Sequence, residues 1–161
     1  MKHKKTFKLK PGQTDYTNIR WAPVIICAVK HGDKILIVKR SSRMRFYPGW
    51  WNGLGGFLDD DKSLKEKVKE ELLEEIGVVE NDIVSIKLGE IFDADDAELK
   101  KTWIAHPVLV EVKTDRIILD WEAEDYRWIS PEELRNFEIT PVFRKTIENF
   151  FPSAKADNIK G

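Results

Sequence analysis

The sequence predicts an α+β domain, on three observations. Runs rich in β-branched residues recur along most of the chain, one strongly periodic helix sits among them, and no internal repeat or interior linker divides the whole. A chain of 161 residues, 42% hydrophobic and 34% charged, suits one ordinary core and is too apolar to be disordered.

Residues 1–20 are polar without clear periodicity and read as a flexible arm or an edge strand, ahead of a domain spanning 21–151. Pro23 to Lys30 and Lys34 to Arg40 are β-branched runs separated by His31-Gly32-Asp33, and Gly32-Asp33 at that spacing signals a hairpin. Ser41 to Gly56 (SSRMRFYPGWWNGLGG) is too glycine-rich for a helix and too long for a turn, which makes it a candidate functional loop. The clearest helix runs from Ser63 to Ile76. Leu64, Val68, Leu72 and Ile76 form one apolar stripe, Ser63 and Glu66 form a capping box, and Gly77 supplies a left-handed stop. Strand-like runs follow at Ile83 to Phe92 and Thr102 to Val112, with a shorter one at Arg116 to Leu119. Ser130-Pro131 begins a second helix and Thr140-Pro141 a third, which ends near Phe150; residues 152–161 read as a flexible tail.

Composition narrows the function classes. Lys and Arg (27) nearly balance Asp and Glu (28), so no global field draws the protein onto nucleic acid or lipid, and any polyanionic ligand must be held locally. A nucleic-acid-binding module is disfavoured on the same ground. Cys27 is the only cysteine, which excludes a disulfide within the chain and fits a reducing, cytoplasmic compartment. The basic residues 1–10 lead into Pro11-Gly12-Gln13, where a signal peptide needs its apolar stretch, and no run of about 18 apolar residues offers a membrane helix. A homodimer is compatible with all of this.

Glu70, Glu71, Glu74 and Glu75 crowd the end of the helix. Residues three and four apart share a helix face, so Glu71, Glu74 and Glu75 can converge. Such like-charge pairs cost about a few tenths of a kcal/mol each, and the helix macrodipole disfavours anions at a C-terminal end. A hard divalent cation ringed by oxygens would offset both penalties. The plainer reading is a solvated face of surface glutamates.

The flanks favour the first reading. The segment from Gly55 to Val78, GGFLDDDKSLKEKVKEELLEEIGV, resembles the Nudix box, G-x5-E-x7-R-E-U-x-E-E-x-G-U with U a bulky aliphatic. Gly56 takes the first glycine, and Glu71-Leu72-Leu73-Glu74-Glu75-Ile76-Gly77-Val78 matches the end of the box at full spacing. The resemblance covers about residues 20–150 and implies an α/β/α sandwich with a mixed central sheet and a loop-helix-loop box. Lys62 stands where the box has its first glutamate, and Glu70 where it has its arginine. Those two positions usually form a supporting ion pair, so here the pair carries exchanged charges.

The resemblance implies a metal-dependent hydrolase that cleaves a diphosphate linkage in a nucleoside diphosphate derivative or related small organic diphosphate. Glu71, Glu74 and Glu75, with the main-chain carbonyl of Gly55, would hold Mg²⁺ or Mn²⁺. The general base would be Glu71 or Glu122, which lies six residues before Trp128; Glu124 and Asp125 compete with Glu122, and an ordinary loop acid is the bland alternative. Arg40, Arg43 and Arg45 are candidates for phosphate. Trp50, Trp51 and Trp103 could stack on a base, although core packing suits at least two of them. His31 and His106 lack partners at metal-ligand spacing and read as structural. Pro48-Gly49-Trp50 after an arginine-rich loop is similar to the isopentenyl-diphosphate isomerase branch, but the Cys and His that isomerases need there are absent. A catalytically impaired box, acting as a nucleotide- or protein-binding module, is the competing expectation raised by Lys62 and Glu70.

Overall fold

The structure, a computed structural model, describes residues 9 and 11–155. In chain order its strands are β1 (Trp21–His31), β2 (Lys34–Arg40), β3 (Trp51–Asn52), β4 (Leu54–Phe57), β5 (Ile83–Leu88), β6 (Phe92–Asp96), β7 (Lys101–Val112) and β8 (Ala123–Ile129). The helices are α1 (Leu64–Ile76) and α2 (Pro141–Phe150), with 3-10 turns at Glu80–Asp82, Pro131–Asn136 and Pro152–Ala154. All strands join one sheet of order β3-β2-β1-β7-β5, with β4 against β1, β6 against β7 and β8 against β2. β1 and β7 run parallel from Trp21 opposite Thr102 to Lys30 opposite Glu111, while the other pairings are antiparallel. The sheet is therefore mixed.

β1 explains the layering. Successive side chains of a strand point to opposite faces. Ile25, Cys27 and Val29 join Val68, Leu72 and Ile76 of α1 in one core, while Ile26 and Ala28 join Phe143 and Ile147 of α2 in another. A central strand buried on both faces between two helices gives the α/β/α sandwich and the α+β class that the sequence predicts.

Local signals set the helix ends. Ser63 and Glu66 form the reciprocal capping box on α1, and Gly77 closes it at φ 68°, donating to the carbonyls of Leu72 and Leu73. The hairpin turns at Gly32, φ 59°.

Five segments differ from expectation. The supposed loop 41–56 contains β3 and the start of β4. Its glycines serve close packing: a Cβ on Gly53 would lie 2.4 Å from the Phe143 ring, and one on Gly55 would lie 2.5 Å from the Ile25 carbonyl oxygen. The run Ile83 to Phe92 is two strands. It breaks opposite Pro107, which has no N–H to donate, between the Leu88–Val108 and Phe92–Ala105 pairs. Arg116 to Leu119 is not a strand: the Ile118 and Asp120 N–H groups donate to the carbonyls of Ile76 and Glu75, satisfying the end of α1 instead. The second helix is only the 3-10 turn Pro131–Asn136, because the chain then straightens to exchange hydrogen bonds with Trp51 through Glu138 O and Thr140 N. The alternation of Tyr126 and Trp128 marks β8, a strand absent from the sequence reading.

Residues 11–20 form no strand, but they are anchored. Tyr16 is buried, and the buried Lys101 donates from Nζ to the carbonyl oxygens of Tyr16 and of Ile19 (2.7 Å for the latter). Ala154 is buried in the last 3-10 turn. The rest of the expected arm (1–8 and 10) and tail (156–161) lies outside the described residues. No helix among the described residues is long and apolar enough to cross a membrane.

Candidate active site

A cavity of about 490 Å³ opens between α1, β4, the loop after β2 and the start of α2. One wall is acidic. Glu71, Glu74 and Glu75 reach it from α1, and Asp120 and Glu122 from the segment before β8. The Gly56 backbone lies against Glu71: a Cβ there would sit 2.7 Å from Oε1. Glu71 is 8% exposed, and burial pushes its carboxyl from the usual 4.5 to about 7, with Glu122 and Glu74 adding repulsion and Lys67 opposing it. Burial likewise raises Glu75 well above its ordinary value, helped by Glu71 and Glu122, and lifts Asp120 to about 6. Glu75 Oε2 is buried with no hydrogen-bond partner. Such an orphaned carboxylate oxygen is costly unless something positive is meant to meet it.

Cations stand around this wall. The half-buried Arg40 donates from Nε to Phe46 O at 2.8 Å and lies within electrostatic reach of Glu122 and Glu75. Lys67 Nζ lies 2.9 Å from Asp60 Oδ2 and 3.7 Å from Glu71 Oε1. Lys62 Nζ, from the loop before α1, donates to Glu70 Oε2 in a more exposed pair.

The opposite wall is aromatic. Phe57 stacks on Trp103 at 6.2 Å and Phe46 meets Trp103 edge-on at 5.5 Å, while Tyr16, buried behind them, stacks on Phe57 (centroids 4.4 Å apart, planes 13° apart). Tyr47 takes a left-handed backbone at φ 51°, and its hydroxyl donates to Asp96 Oδ2, which also accepts from Trp103 Nε1 at 3.4 Å. Arg45 Nη1 bonds Asp15 Oδ1 (2.8 Å) and Thr17 Oγ1 (2.7 Å), tying the loop after β2 to the N-terminal segment. Leu9, Gln13 and Thr14 of that segment complete the wall.

The NUDIX domain family model matches residues 20–150, nearly the whole described chain. The chain belongs to the Nudix family and is a Nudix pyrophosphohydrolase. Among similar proteins, the nucleoside triphosphatase NudI of Salmonella paratyphi B is 26% identical over 132 residues, covering 76% of this chain and 92% of the relative. The crystal structure of a MutT protein from Methanosarcina mazei superposes with a TM-score of 0.66 at 24% identity, covering 86% of this chain and 99% of that one. The NUDIX domain of Shewanella oneidensis NrtR, solved as a complex with ADP ribose, gives 0.66 at 20% identity, covering 81% and 86%.

Within this Nudix domain the fold gathers Gly55, Glu71, Glu74, Glu75, Glu122, Arg40, Arg45 and Trp103 around one cavity. Arg43, Trp50 and Trp51 do not line it. Trp50 meets Tyr47 edge-on at 5.2 Å. Trp51 pairs with Lys39 in the sheet, and its ring packs on Phe137 at 5.3 Å in the α2 core, so its position is that of a core residue. Glu124 pairs instead with Lys39 at 3.5 Å and Asp125 with Arg127 at 3.3 Å, away from the acidic wall. The sequence reading missed Asp120, Lys67, Tyr16, Phe57 and Asp96. Lys67 alone had a local signal, four residues before Glu71 on the same helix face.

Proposed function

We propose that this Nudix hydrolase cleaves the diphosphate of a nucleoside diphosphate derivative or related organic diphosphate with the help of Mg²⁺ or Mn²⁺. The orphaned, buried Glu75 oxygen among mutually repelling carboxylates carries the reading, because a divalent cation satisfies it and offsets the repulsion at once. Among the described residues no three His, Cys, Asp or Glu side chains stand in finished ligand geometry. The fit therefore rests on donor chemistry: hard carboxylate oxygens from Glu71, Glu74 and Glu75 beside the Gly55 carbonyl suit a hard cation. When bound, such a cation neutralises charge on the diphosphate and polarises the phosphorus–oxygen bonds.

The chain's own residues divide the remaining work. Arg40 and Arg45 offer guanidinium groups to phosphate oxygens, and the Trp103–Phe57 surface offers a stacking face to the organic group. Glu71 or Glu122 takes the proton of the attacking water. The NudI relatives are named nucleoside triphosphatases and the NrtR domain binds ADP ribose, which supports a nucleotide derivative as substrate class. The cytoplasm would supply such small molecules, without membrane or nucleic acid as partner.

A screen for phosphate release across nucleoside diphosphate derivatives, with Mg²⁺ and with Mn²⁺, tests the proposal. Activity on at least one compound, lost in Glu74→Gln, is expected. Tight nucleotide binding with no turnover on any compound would favour the impaired, binding-module reading. Glu122→Gln is expected to lower kcat more than about tenfold with metal affinity little changed. Near wild-type turnover would assign the base to Glu71.

A further inference from the structure

Lys67 is an odd residue to bury. Its side chain is only 8% exposed, beside Val68 and Leu72 of the α1 core face. Taking an ammonium out of water costs several kcal/mol unless it is paired, so a lysine here must be held by partners. They are Asp60, 2.9 Å away in the loop before α1, and Glu71, at 3.7 Å in the wall of the cavity. Helix stabilisation does not explain the second contact, because the order Lys then Glu four residues later is the weaker one for an isolated helix.

The geometry gives the two contacts different characters. At 2.9 Å the Asp60 contact is a charge-assisted hydrogen bond that fixes the ammonium. At 3.7 Å the Glu71 contact is beyond hydrogen-bond range and acts through charge alone. Glu71 Oε1 is thus wedged between a tethered positive charge and the Gly56 backbone, which leaves no room for a Cβ.

We propose that Lys67 is the positioning residue of Glu71: anchored by Asp60, it orients the carboxylate by attraction while staying too distant to occupy it. The more exposed Lys62–Glu70 contact then serves as an outer latch between the same loop and helix, with no hold on Glu71. This inference rests on the reading of Glu71 as part of a divalent-cation site.

Three variants test it, with Mn²⁺ binding to the substrate-free protein read by electron paramagnetic resonance beside kcat and KM. Lys67→Met removes a positive charge from the acidic wall, so Mn²⁺ should bind about three- to tenfold tighter. The unguided carboxylate should nonetheless lower kcat by about tenfold or more with KM little changed. Lys67→Arg, which keeps the charge, should recover most of kcat. Asp60→Asn frees the ammonium to move onto Glu71 and should weaken Mn²⁺ binding, the opposite sign; it leaves α1 intact and stands in if Lys67→Met fails to fold. Tighter Mn²⁺ binding with lower kcat in Lys67→Met, weaker binding in Asp60→Asn and rescue by Lys67→Arg would support the proposal. Wild-type kcat in Lys67→Met, or Mn²⁺ affinity moving in the same direction in Lys67→Met and Asp60→Asn, would overturn it. Failure of wild-type protein to bind Mn²⁺ would sink the cation-site reading as well.

Discussion

The two walls of the cavity are built by opposite strategies. The acidic wall comes mostly from one helix, where Glu71, Glu74 and Glu75 are neighbours by helical spacing alone. The aromatic wall draws Tyr16, Phe46, Phe57 and Trp103 from four separate stretches of chain: pairing on β1 sets Phe57 and Trp103, and Tyr16 and Phe46 pack onto them from outside the sheet. The acidic wall gathers mutually repelling carboxylates that a cation would offset, whereas the aromatic wall is ordinary packing that leaves one face open. On the proposed reading, chemistry falls to the wall with the most buried charge and recognition to the wall of packed rings.

The largest expected effect lies on the acidic wall. Glu71→Gln removes both a proposed cation ligand and a candidate base, so it should lower kcat by about 10²-fold or more while leaving the fold intact. A loss under about tenfold in steady-state assays would move the chemistry to Glu122. On the aromatic wall the signs should reverse. Trp103→Ala should cost about 3 kcal/mol of stability by chemical denaturation and raise KM more than it lowers kcat. A kcat loss as large as that of Glu71→Gln would erase the division of labour.

Acidity separates the walls further. The Glu71 carboxyl is raised from 4.5 to about 7 in the fold and Asp120 from 3.8 to about 6, so between roughly pH 4 and 7 the native state holds protons that the unfolded chain has released. Stability of metal-free protein should therefore fall as pH rises through that window, and Mg²⁺ should flatten the fall. A melting temperature that instead climbs from pH 5 to pH 8 without metal would show that these carboxyls are not strained. The smallest effect belongs to the outer latch. Lys62→Glu or Glu70→Arg alone should destabilise slightly, and the double reversal should recover most of the loss in a double-mutant cycle. Strict additivity in the double-mutant cycle would mean that the contact contributes nothing in solution.

The same contrast governs what the sequence could reveal. The box helix was legible because its signals are local: the apolar stripe, the capping box, the Gly77 stop and the glutamate spacing need no knowledge of the rest of the chain. Gly53 and Gly55 misled, since a glycine that permits close approach to Phe143 or to the Ile25 carbonyl looks the same in sequence as one that makes a loop flexible. Arg116 to Leu119 misled in another way. Its β-branched pattern is real, but its hydrogen bonds go to the end of α1 and no neighbouring strand takes them. Trp51 and Trp103 could not be told apart until register put one on the α2 core and the other at the cavity. Asp96, which holds Tyr47 and Trp103 together, has no local signature at all.

The family match begins at residue 20, yet Leu9, Gln13, Thr14 and the stacked Tyr16 come before it. This stretch is fastened by a few discrete clasps, chiefly the Lys101 ammonium on two carbonyls and Arg45 on Asp15 and Thr17. The cavity thus has an exchangeable jaw. Substitutions at residue 9 and along 11–19 would reshape what the cavity grips while leaving the box residues in place.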